Sequence, residues 1–228
     1  MSVLAPLHPE AHATDCSMPS GGLVLHGITH LSASSLNAYV AQPAAWVMER
    51  LLNRRAPVGC AAHRGTASEA GIVMGLLDPA AAIPELRQYG IPQTQVRIDR
   101  LIDGIPVPVI GFIDLHWPEH GLTLDIKTTF RVPSEITTSH ARQVGIYVHG
   151  TNHQARVAYC SPKRIAVYQL TNPAQPVAEA VQIAQRMDRF LAISPDPLAL
   201  ASLLVPDTDH YFYANPIAAA HRREVYGV

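Results

Sequence analysis

The sequence predicts an α/β fold with a mixed central β-sheet flanked by helices. Three observations carry this. Apolar and alternating runs over Thr94–Ile102, Val107–His116, Leu122–Phe130, Ala155–Cys160 and Arg164–Leu170 read as strands. Helical patterns stand before, between and after them, in the order helices, three strands, helix, strand pair, helix. The strand links are short and rich in turn residues (Asp103-Gly104, Pro118 to Gly121, Ser161 to Lys163), which argues for hairpins and against a doubly wound parallel sheet.

Each helix has its own signals. Leu36, Tyr39, Val40, Trp46, Val47 and Leu51 repeat at helical spacing, with Ser32 or Ser34 as N-cap. Pro43 divides that pattern into two short helices. A second pattern spans Thr66 to Leu77 and stops at Asp78-Pro79. Pro133-Ser134-Glu135 predicts a helix start, with Ser134 as cap, running through Val148 to a stop at Gly150. A long amphipathic pattern spans Ala174 to Ile193. Residues 1–24 read as a loose arm, 25–195 as one domain, and 196–228 as an extension that packs on the core or at an interface through Tyr211-Phe212-Tyr213.

Composition narrows the function classes. With 228 residues, 48% hydrophobic and 15% charged, the chain suits one globular core. A formal net charge of −1 gives no global basic footprint for nucleic acid, although arginines cluster locally at Arg50, Arg54 and Arg55. Three scattered cysteines without CxxC spacing argue against zinc ribbons and fit a reducing, cytoplasmic compartment. No run of about 18 apolar residues predicts a membrane span.

The chemistry concentrates in one hairpin. Asp114 closes the run Val107 to Ile113, and Asp125 lies inside Leu122 to Thr128, with Pro118-Glu119-His120-Gly121 between them. Residues two apart in a strand share a face, so Asp125 and Lys127 point one way and Leu124 and Ile126 the other. Two carboxylates on neighbouring strands suit a hard divalent cation, and a lysine beside them can orient a water or offset developing charge. Blander readings exist for each residue. Asp114 can be a hairpin-end solubility residue, Lys127 a plain ion-pair partner, and Tyr147 a core residue. Asp125 is harder to explain that way, because an unpaired carboxylate among apolar neighbours is costly. Gln143 and Tyr147 lie four apart and share one helical face. Trp46 and Trp117 can stack on bases or pack in the core, and His116 can reach the face of Asp114.

Taken together these pieces resemble the PD-(D/E)xK nuclease superfamily, in its RecB-like and phage-type exonuclease branch. The resemblance runs from about Leu31 to Tyr168. It rests on Leu31-Ser32-Ala33-Ser34-Ser35-Leu36, Gly65-Thr66-Ala67-Ser68-Glu69, Gly111-Phe112-Ile113-Asp114, Asp125-Ile126-Lys127-Thr128 and Gln143-Val144-Gly145-Ile146-Tyr147. Each piece alone is weak; their joint order is the signal. The resemblance implies a restriction-endonuclease-like core (αβββαβ) over 25–195. It also implies Mg²⁺ or Mn²⁺ held by Asp114, Asp125, Glu69 and the Ile126 carbonyl. Lys127 would place the attacking water, while Gln143 and Tyr147 brace the site. Arg64, Arg142 and Ser34 are the DNA-contact candidates. Glu69 stands where many relatives carry His, and Gln42-Pro43 where a Cys-Pro often occurs, so no iron–sulfur cluster is expected. The implied activity is exonucleolytic, on double-stranded DNA with a free end, in a bacterial or phage-infected cell. A recombinase or single-strand-annealing partner and a homo-oligomeric ring belong to the same expectation. A structure-specific or restriction-like endonuclease, a non-catalytic DNA-binding subunit on the same fold, and a coincidental α/β protein stay open.

Overall fold

A computed structural model describes residues 21–57 and 83–228. The predicted helix over Thr66–Leu77 with its Glu69, and the neighbouring Arg64, lie outside the described residues. The described helices are α1 (Gly22–Leu25), α2 (Ala33–Ala41), α3 (Pro43–Arg50), α4 (Thr138–Thr151), α5 (Ala174–Leu191), α6 (Pro197–Ala201) and α7 (Pro216–Tyr226). The strands are β1 (Leu31–Ser32), β2 (Gln93–Arg100), β3 (Val109–Trp117), β4 (Leu122–Thr128), β5 (Gln154–Cys160) and β6 (Ile165–Gln169). They form one six-stranded mixed sheet in the order β1-β3-β4-β5-β6, with β2 also on β3. Pairs β1–β3 and β4–β5 are parallel; β2–β3, β3–β4 and β5–β6 are antiparallel. Helix α4 is the crossover that the parallel β4–β5 pair needs. None of the described helices is long and apolar enough to cross a membrane.

Two apolar layers sandwich the sheet. On one face α4 and α5 cover Val109, Ile113, Val157 and Tyr159. Helix α5 turns Ala180, Ala184, Met187 and Leu191 inward, a 4-3-4 spacing that makes one helical stripe. The other face holds Leu115, Trp117, Leu122, Leu124 and Ile126 under Ile83 and Leu86, the latter from the short 3₁₀ turn Pro84–Tyr89. Burying each such aliphatic side chain contributes about 1.5–3 kcal/mol. Tyr213 and Ala218 from the C-terminal segment pack on Ala45 and Met48 of α3, while Tyr211 stays exposed.

Several local expectations are corrected. Residues 22–24 belong to α1, not to a loose arm: Leu23 is buried and its N–H donates to Asp188 Oδ1 at 2.9 Å. Gly22 allows this contact, since a Cβ there would lie 2.2 Å from the Ala192 nitrogen. Helix α4 starts at Thr138 and not at Pro133, because the preceding segment is tied down by side chains of β5 and β6. Tyr168 O–H donates to the Pro133 carbonyl and Thr137 N–H donates to Tyr159 Oη. Ser134 is therefore no cap, and Asn152, with φ 60°, ends the helix in place of Gly150. The β2–β3 link is wider than a two-residue turn, since Ile102, Ile105 and Val107 fold inward and are buried. Ser32, rather than Ser34, caps α2 by accepting from Ser35 N–H at 3.1 Å.

Candidate active site

Strand β3 shares one edge between two partners. Its Trp117 end pairs with β4, and its Val109 end pairs with β1. The β3–β4 ladder stops at Leu115↔Leu124, so Asp114 and Asp125 are the next residue on each strand where the two part. There the Asp114 carboxylate replaces the missing main-chain acceptor: Oδ2 takes the Ile126 N–H at 2.8 Å. Gln95 supports the other oxygen, its Nε2 donating to Oδ1 at 3.3 Å. Gln95 itself has φ 51°, a left-handed conformation uncommon outside glycine and asparagine.

This distortion reorients β3. In an ideal strand Ile113 and Leu115 share a face. Here Ile113 packs in the layer under α4, and Leu115 packs in the opposite layer. Beyond Asp114, Gly111 also meets α4: a Cβ on it would lie 2.7 Å from Tyr147 Cε1.

The face of β4 toward α4 carries the polar residues. Asp125 is 1% exposed, a severe burial for a carboxylate, and both its oxygens are engaged. Gln143 Nε2 donates to Oδ1 at 2.9 Å, and Lys127 Nζ lies 2.8 Å from Oδ2. Gln143 spends its second amide hydrogen on Tyr147 Oη at 2.7 Å, and Tyr147 O–H donates to the Phe112 carbonyl at 2.7 Å. A continuous chain thus runs from the β3 backbone through α4 to Asp125. Burial, with the Asp125 charge second, pushes the Tyr147 phenol up, so it stays protonated and must donate. Tyr147→Phe leaves one Gln143 hydrogen and the Phe112 carbonyl without their partners. It is expected to cost about 1–3 kcal/mol of stability, read as a lower urea midpoint together with slower cleavage.

Burial also raises Asp114 above the usual carboxylate range, against the opposing effects of the Ile126 N–H, the Lys127 charge and the Gln95 amide. Two desolvated carboxylates side by side favour a bound cation, and an all-oxygen pair suits a hard one. Among the described residues no group of three or more His, Cys, Asp or Glu could hold a metal ion.

Of the sequence candidates, Asp114, Asp125, Lys127, Gln143 and Tyr147 come together. Ser34 sits on the rim of a neighbouring cleft of about 300 Å³, with His30, Phe112 and Tyr147. Arg142 is occupied by protein partners. Its side chain is 11% exposed, with Nε donating to Asn37 Oδ1 at 2.8 Å and Nη1 lying 3.4 Å from Glu179, so it ties α4 to α2 and α5. Trp46 and Trp117 are both buried and donate to Ser35 Oγ and the Gly90 carbonyl, so neither stacks on bases. His116 pairs instead with His153, Nε2 to Nδ1 at 2.9 Å.

Sequence reasoning missed Gln95, His140 and Tyr159. Tyr159 stands opposite Lys127 in the parallel β4–β5 ladder. His140 bonds its hydroxyl through Nδ1 at 2.7 Å. The available signal was spacing, since His140 lies one turn before Gln143, on the same helical face. Burial first, and the Lys127 charge second, lower His140 to about 4. With a free-chain value of about 6.5, the unfolded state takes up the proton first as pH falls. The stability His140 contributes is complete above pH 6.5 and lost as pH falls toward 4. Urea midpoints measured over that window are expected to fall less steeply in His140→Asn than in the wild type.

No protein-family model matches the chain, and no curated protein matches it. Solved structures do. SSO0001 superposes with a TM-score of 0.55 at 18% identity, covering 84% of this chain and 85% of that one. LHK-Exo in complex with dAMP gives 0.48 at 15% identity, over 72% and 89%. The phage related exonuclease from Haemophilus somnus 129PT gives 0.33 at 14% identity, over 69% and 92%. At these identities the likeness to SSO0001 concerns architecture alone: the chain is an α/β protein with a six-stranded mixed sheet flanked by helices, a fold it shares with SSO0001.

Proposed function

We propose that the protein is a divalent-cation-dependent DNA nuclease of the PD-(D/E)xK type that hydrolyses phosphodiester bonds from a free duplex end. The observation that supports this is the parting of β3 and β4, where Asp114 and Asp125 meet with Lys127 at 2.8 Å from Asp125. Asp114, Asp125, the Ile126 carbonyl and Glu69 would hold Mg²⁺ or Mn²⁺. Such an ion supplies an activated water and steadies the leaving oxygen.

The chain's own residues do the rest. Gln143, itself held by Tyr147, fixes one oxygen of Asp125 and so pre-orients the carboxylate for a cation. Lys127, held beside Asp125, would orient the water and offset charge at phosphorus. Asp114, anchored to β4 through the Ile126 N–H, keeps the two strands at a fixed opening. A free end, a ring-forming homo-oligomer and a recombinase or annealing partner are parts of the same reading.

The test is cleavage of linear duplex DNA, labelled at its 5′ or its 3′ end, beside a covalently closed circle, with Mg²⁺, Mn²⁺ or EDTA. Loss of the linear DNA alone, abolished by EDTA, is the expected result. Nicking of the circle would make the enzyme an endonuclease, and no cleavage with either metal would leave a DNA-binding subunit.

A further inference from the structure

We propose that Tyr159 and His140 form a positioning pair that holds Lys127 on Asp125, a role resting on the nuclease reading only for its catalytic consequence. The geometry begins in the sheet. Lys127 and Tyr159 are register partners in the parallel β4–β5 ladder, so their side chains leave the sheet on one face. Helix α4 lies over that face and places His140 against the Tyr159 ring, with centroids 5.4 Å apart. The Tyr159 ring thus stands beside Lys127, with the His140 imidazole against that ring, and the Lys127 side chain is only 20% exposed.

The hydrogen bonds around the phenol give the pair its direction. Tyr159 Oη accepts the Thr137 N–H at 3.1 Å and lies 2.7 Å from His140 Nδ1. The arrangement that uses the phenol proton makes Nδ1 the acceptor and leaves the imidazole proton on Nε2. His140 then offers a donor from Nε2 and no acceptor. An imidazole of the other tautomer would carry a lone pair on Nε2 within the electrostatic reach of the Lys127 charge. Tyr159, by fixing the tautomer, removes that attraction and favours the pairing of Lys127 with Asp125. The Thr137 N–H at the start of α4 sets the phenol in turn, so one backbone donor orients the whole pair.

The chain has just two lysines, Lys127 and the exposed Lys163, which makes the test direct. Trace reductive methylation of the full-length protein, read by peptide mass, compares them within one sample. In the wild type Lys127 is expected to react far more slowly than Lys163. In Tyr159→Phe and His140→Ala its rate should rise toward that of Lys163. His140→Asn, whose Oδ1 stands in for Nδ1, should restore protection. Single-turnover cleavage should fall about 10- to 100-fold in the first two variants, with DNA affinity unchanged. Continued protection of Lys127 in both variants would overturn the proposal, and so would an unprotected lysine with wild-type turnover. Loss of protection in a protein whose wild type cuts no DNA would uphold the pair and remove the nuclease reading instead.

Discussion

Asp125→Asn is expected to lower metal-dependent DNA cleavage by about a thousandfold or more, with the fold intact. The reasoning starts from burial. Asp125 is 1% exposed and both oxygens have partners, so removing the side chain does two things at once. Asp125→Ala takes away the charge that would hold a cation. It also strands the Gln143 amide and the Lys127 ammonium, and breaking a buried pair in this way costs about 3–5 kcal/mol. An inactive alanine variant would therefore not separate lost chemistry from lost structure. Asparagine keeps the shape and keeps an oxygen for Gln143, and gives up only the contact to Lys127, whose partly exposed side chain can turn to solvent. Cleavage rates, calorimetric titration with Mn²⁺ and a thermal melt on the same variant separate the effects. Near-normal melting with no cleavage and weakened Mn²⁺ binding is the expected pattern. Wild-type cleavage by Asp125→Asn would remove Asp125 from the chemistry.

Gly111→Ala should be the most damaging single methyl in the sheet. The added carbon would stand 2.7 Å from Tyr147 Cε1 and 3.1 Å from Ile98 Cγ1. A flexible side chain would swing aside, but the Tyr147 ring is tethered by hydrogen bonds at its hydroxyl. Overpacking of this kind costs about 1–3 kcal/mol, and here the strain passes to Gln143 and thence to Asp125. The expected outcome is a lower melting temperature together with a fall in cleavage larger than Tyr147→Phe produces. The double variant Gly111→Ala/Tyr147→Phe should be less than additive, since both act through one ring. Full additivity would mean that the glycine matters for some other contact.

A mixed sheet and the positions of five of its six strands were largely legible in the sequence, because strand alternation and apolar runs follow from burial. The opposed faces of Asp125/Lys127 and Leu124/Ile126 are a simple consequence of the strand period, and the structure places them so. Three things were not legible. The inversion of β3 at Asp114 is accompanied by a positive φ at Gln95, which no local sequence rule assigns to a glutamine. The start of α4 is set by Tyr168 and Tyr159, which come later in the chain and from other strands. Arg142 looked free on a helix next to Gln143, yet Asn37 and Glu179 claim it from two other helices. Each error has the same source: a partner distant in sequence decided the local state.

Because β3 changes sides at Asp114, a single strand belongs to both apolar layers, with Val109 and Ile113 in one and Leu115 and Trp117 in the other. Neither layer can loosen without pulling on the other through that strand. The carboxylate at the crossing point is therefore tied through its backbone to both layers, and loosening of either one displaces it. Tolerance to substitution should follow the same logic: changes far away in either layer reach the crossing point through one continuous backbone, so the precision of the site is set by the cooperativity of the entire fold.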